Sequence, residues 1–146
     1  MKTVFGAWWQ RLLGSSATLS PFEVALLEAV VRSLSEPLRP LVEAQIEAAT
    51  LVQRYRVRAS SRAEWRGLLF YQGPVPSGSG VKPLPVEDGT VELLVLKVRV
   101  GPDGPLLTIT AHAHRRQFFD IMSNKDWCPV PHITDLRVEA VSLQRR

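Results

Sequence analysis

A chain of 146 residues, 45% hydrophobic and 22% charged, has the composition of one globular domain, residues 1–146, and not of a disordered segment. Its net charge of +4 and pI of about 9.7 make it basic, but less so than a dedicated nucleic-acid tail. Cys128 is the only cysteine, which excludes an intramolecular disulfide and suits a reducing compartment.

Residues 1–49 read as a helical layer. From Thr3 to Leu13, Phe5, Trp8, Trp9, Leu12 and Leu13 follow the three-four spacing of one helical face, and Gly14-Ser15-Ser16 ends the pattern. Gln10 and Arg11 interrupt the apolar patch too early for a signal peptide's core, and no run approaches the length of a membrane helix. A soluble, cytoplasmic protein without a transmembrane segment is expected. The next helix has a capping-box start: Ser20 as N-cap, Pro21 at the first helical position and Glu23 reaching back. Phe22, Leu26, Leu27, Val30, Val31 and Leu34 form its apolar face. Ser35-Glu36-Pro37 breaks it, and a third helix follows with Leu38, Leu41, Val42, Gln45, Ala48 and Ala49 on one side. Gln45 is the polar exception.

From Thr50 onward the period becomes two, and residues 50–146 read as sheet. Leu51, Gln53, Tyr55 and Val57 alternate with Val52, Arg54, Arg56 and Arg58, a strand with a basic ladder on one side. Trp65 to Gln72 form a second strand. Residues 73–89, rich in Gly, Pro and Ser, are expected as a mobile loop. Val91 to Ala113 then reads VELLVLKVRV-GPDG-PLLTITAHA, two strand-length apolar runs around a turn. A loop of Gly101 to Gly104 sets Val98 against Leu107, Leu96 against Ile109 and Leu94 against Ala111, one apolar face. A slip of one residue would bury hydroxyls and histidines instead, so the alternation selects this register. Gly104 is the residue expected to supply positive φ. QFFDIM forms a fifth strand, with Phe118, Asp120 and Met122 alternating against Phe119 and Ile121. Leu136 to Leu143 adds a sixth at an edge.

Helices followed by strands give an α+β fold, with the N-terminal helices on one face of an antiparallel meander of five or six strands. The opposite face then exposes Val91, Leu93 and Val95 beside Lys97 and Arg99, with Thr108, Thr110, His112 and His114 alongside and Arg54, Arg56 and Arg58 on the same side. A sheet face that is half apolar and half basic points to a protein partner or self-association, unless the first helix or the long loop covers it. A second reading is nucleic-acid binding through the arginine-rich strand, although no RRM aromatic signature or KH loop accompanies it. A third is a metal site or enzyme. His112 and His114 point the same way from one strand, and Cys128 and His132 offer two further ligands, at a spacing that matches no common zinc pattern. No GxGxxG, P-loop, GxSxG or HExxH occurs, and no cofactor is expected.

Overall fold

The structure, a computed structural model, describes residues 19–49, 51–59, 62–71, 82–127 and 133–143. The amphipathic segment Thr3 to Leu13, Cys128, His132 and most of the Gly/Pro/Ser-rich stretch lie outside the described residues. Helices α1 (Pro21–Ser33) and α2 (Leu38–Ala48) precede strands β1 (Leu51–Ala59), β2 (Arg62–Tyr71), β3 (Thr90–Val100), β4 (Leu106–His114), β5 (Gln117–Ser123) and β6 (Leu136–Leu143). The fold is α+β: the two helices pack on one face of an open, antiparallel sheet of order β1-β2-β5-β4-β3-β6. The run β3-β4-β5 is a meander. The β1–β2 hairpin adds to β5, and the last strand returns to β3, so the two ends of the sheet are built by non-consecutive pairings. Among the described residues, no helix is long and apolar enough to cross a membrane.

Helix α1 starts where its caps require. Ser20 Oγ accepts from the Glu23 amide at 3.2 Å, and Glu23 Oε1 accepts from the Ser20 amide at 2.9 Å. Its six expected core residues, Phe22, Leu26, Leu27, Val30, Val31 and Leu34, are all fully buried. The end of α1 is held by Arg39, whose guanidinium donates to the carbonyls of Leu34 and Arg32, acceptors that the helix itself cannot satisfy. In α2, Val42, Gln45 and Ile46 are buried; Ile46 joins the face predicted from spacing.

The β3–β4 hairpin sets the core. Leu94 pairs with Ala111, Leu96 with Ile109 and Val98 with Leu107, in the predicted register, and all six are sealed beneath the helices. Each large aliphatic side chain buried there contributes roughly 1.5–3 kcal/mol. The Val100 amide donates to the Pro105 carbonyl at 3.0 Å and closes the loop. Positive φ falls on Gly101, at 68°, and not on Gly104. Gly104 is required for a different reason: a Cβ there would stand 1.8 Å from the Val100 carbonyl oxygen.

Four one-residue bulges interrupt the ladders, and they decide which side chains share a face. Leu93 is the extra residue between β3 and β4, Phe119 between β4 and β5, Glu139 between β3 and β6, and Arg66 between β1 and β2. In β5 the bulge breaks the expected grouping. Phe118 pairs with Ala113 and is buried, whereas Asp120 and Met122 pair with His112 and Thr110 on the other face.

Candidate interaction face

Two buried polar clusters lock the helices to the covered side. The Glu23 carboxylate is 1% exposed. It accepts from Arg54 on β1 at 2.7 and 2.8 Å, from Trp127 Nε1 at 3.2 Å and from the Ser20 amide. Trp127 also packs edge-on against Phe22. Helix α1 packs on β6 as well, so it crosses the sheet from one edge to the other. Its 13 residues span about 20 Å, close to the ~24 Å between the outer strands of six. The second cluster is Gln45. Its amide accepts from the Phe118 N–H at 2.6 Å and donates to the Lys82 carbonyl at 2.8 Å, tying α2 to β5 and to the segment leading into β3. One buried side chain thereby satisfies main-chain groups 37 and 73 residues distant.

Arg54 therefore lies under the helices, a correction to the expectation of a basic ladder on the opposite side. The reason is its neighbour on the same side of β1: Val52 is fully buried, and Arg54 follows it into the covered face, where Glu23 neutralises it. The side chains of Arg56 and Arg58 lie outside the described residues.

No described element packs on the other face of the sheet. The register places Val95, Lys97 and Arg99 of β3 there, opposite Thr110, Thr108 and Leu106 of β4. Val91 and Leu93 do not join them. The bulge sets Val91 opposite Ala113 on the covered side and leaves Leu93 only 3% exposed. Glu92 takes the vacated position beside His112 and is exposed. Met122 and Leu69, both half-buried, extend the face through β5 and β2, opposite Thr110 and Asp120 respectively.

Most charged groups on this face are already engaged. Arg99 donates to Glu139 on β6 at 3.0 Å, and Arg137 donates to the same carboxylate at 3.1 Å. The hydrogen bond from Arg99 holds Glu139 below the ordinary carboxylate range, and Glu139 in turn raises Arg99. His112 Nδ1 lies 2.6 Å from Asp120 Oδ1. Burial pushes the Asp120 carboxyl up, and its hydrogen bond from His112 opposes that rise. His114 Nδ1 sits 2.8 Å from Thr90 Oγ1, with its ring 5.5 Å from that of Phe119. Each of these two histidines thus uses one ring nitrogen within the chain. Among the described residues, no group of three or more His, Cys, Asp or Glu is placed to hold a metal.

Sequence reasoning missed Glu92, Leu69 and Met122 as members of this face, and Trp127 as a core residue. A tryptophan directly after the polar run Ser123 to Asp126 was the available signal for the last. Comparison with family models, with curated proteins and with solved structures gives no match for this chain.

Proposed function

We propose that the protein acts without catalysis, as a small interaction protein that offers its open sheet face to a protein partner or to a second copy of itself. The observation that supports this reading is the character of the face. Half-buried Val95, Met122, Leu69 and Leu106 lie beside Thr108, Thr110 and exposed Lys97, with no described element over them. Apolar side chains interspersed with threonines and an exposed lysine, on a face that no described element covers, suit a protein contact. The nucleic-acid reading loses two of its five proposed cations, because Arg54 is committed to Glu23 and Arg99 to Glu139. The metal reading keeps only His112 and His114 among the described residues, each with a partner of its own.

Thr110 stands in the middle row of the face, so Thr110→Arg tests the proposal. Immobilised wild-type protein is expected to retain a partner from its native cell extract, or to self-associate in solution. Thr110→Arg is expected to lose both, while Val141→Arg, on the exposed flank of β6 under the helix side, keeps them. Retention and self-association that ignore Thr110→Arg would refute the open face as the docking surface.

A further inference from the structure

The pattern of charge along β3 goes further than an unnamed partner. Lys97 and Glu92 are both exposed, and neither has an ion-pair partner among the described residues. Strand β4 supplies the ruler: Thr108, Thr110 and His112, evenly spaced, stand opposite Lys97, Val95 and Glu92. Lys97 and Glu92 therefore lie at equal distances, roughly 7 Å, on either side of the Val95 row. The bulge at Leu93 creates this symmetry, because an unbroken strand would turn Glu92 to the covered side.

We propose that the partner is a second copy of this chain. It docks face to face about a two-fold axis that lies between the sheets and runs across the strands along the row Val95, Thr110, Met122. The proposal rests on the open face being the docking surface. Rotation about that axis keeps β3 over β3 and reverses its direction. Lys97 then meets Glu92 of the second copy, and Glu92 meets Lys97 of the second copy, so one charge pattern forms two ion pairs. Sheets that pack face to face stand about 10 Å apart, within reach of both side chains. The middle row of Val95, Thr110 and Met122 contacts its own counterpart, as an isologous interface requires. A copy docked with its strands in the same direction would instead set Lys97 against Lys97 and Glu92 against Glu92, and is disfavoured. Among the described residues of the face, Arg99 is held by Glu139 and Asp120 by His112, so these charges do not compete.

Sedimentation equilibrium of the full chain over a range of concentrations tests this with Lys97→Glu, Glu92→Lys and the double exchange. Wild type is expected to dimerise reversibly. Each single substitution sets like charges together twice and should weaken the dimer roughly tenfold or more, and the double exchange should bring it back to near the wild-type constant. Added salt should weaken the wild-type and doubly exchanged dimers and strengthen the singly substituted ones, a reversal that misfolding cannot imitate. Single substitutions without effect, or a double exchange no better than its parents, would overturn the pairing. A wild-type chain that stays monomeric also overturns it. If such a monomer still retains a Thr110-dependent partner from extract, the open-face reading survives alone, and if it retains none, both fall together.

Discussion

The two faces of the sheet solve the problem of polar side chains in opposite ways. On the covered face Glu23 and Gln45 are buried, and each reaches groups from distant parts of the chain: β1 and Trp127 for Glu23, β5 and the approach to β3 for Gln45. These contacts fasten one layer to the other. On the open face Asp120 is nearly as well buried, at 7% exposure, but its partner His112 is the adjacent residue on the next strand. Arg99, Glu139 and Arg137 likewise form a cluster confined to the neighbouring strands β3 and β6. The covered face spends its polar groups on holding the fold. The open face pairs its own between neighbouring strands, where they join no layer to another.

That contrast breaks first if Glu23 proves dispensable. Glu23→Ala removes the anion from a partly buried arginine, the acceptor from a buried indole and one half of the capping box. Loss of one partner of such a pair costs about 3–5 kcal/mol, with roughly another 1 for the cap. Urea denaturation should show this loss; a change under 1 kcal/mol would mean that the cluster is decoration. Gln45→Leu comes next. It keeps the volume but strands the Phe118 N–H and the Lys82 carbonyl, at about 1–3 kcal/mol for each group left unsatisfied. The same assay applies, and the amide of Phe118 should lose its hydrogen-exchange protection before its neighbours do.

The covered face was also the more legible from sequence. A capping box, a Gly-Pro-Asp-Gly turn and strict alternation are local signals, and they gave α1, the β3–β4 register and the burial of Leu96, Val98 and Ile109 directly. Gln45 could be seen as an exception on an apolar face, but nothing local names an acceptor or donor 37 or 73 residues away. The error at Arg54 has another source. Alternation separates two sides of a strand without saying which one is covered, and Val52, on the same side as Arg54, was the better guide. The open face was harder because its membership depends on bulges. One extra residue has no compositional signature, yet Leu93 alone moves Val91 off the face and brings Glu92 onto it.

Smaller effects sharpen the comparison. The β4–β5 turn places Arg115 and Arg116 at φ of 51° and 62°, a region in which asparagine and glycine are at ease. Arg116 is engaged with Leu84, but Arg115 is exposed, so Arg115→Asn should stabilise the protein by about 0.5–1 kcal/mol in a thermal melt. Asp120 should show as a slope. Its folded carboxyl holds a proton more tightly than the unfolded one, so its contribution is present at low pH and is lost as pH rises through the folded value. Glu139 is shifted the other way, and its contribution is lost as pH falls. Across the window just above the ordinary carboxylate value, Asp120→Asn should therefore gain stability relative to wild type as pH rises. A difference that is flat in pH would show that His112 offsets burial completely.

The smallest expected effect is the most informative about the open face. Thr110 is half-buried, and both of its cross-strand neighbours, Val95 and Met122, lie on the same face, over which no described element packs. Thr110→Arg leaves no buried group unpaired and opens no cavity, so at low protein concentration it should shift stability by no more than about 0.5 kcal/mol. At high concentration the outcome should differ. A dimer adds a mass-action term to the apparent stability of whichever chain can form it, and wild type can while the variant cannot. The gap between the two melting temperatures should therefore widen as protein is added, whereas the gap between wild type and Gln45→Leu, which acts within one chain, should not widen in this way. A Thr110→Arg protein that is strongly destabilised even when dilute would mean that the uncovered side belongs to the fold after all, and the division of labour between the two faces would fail.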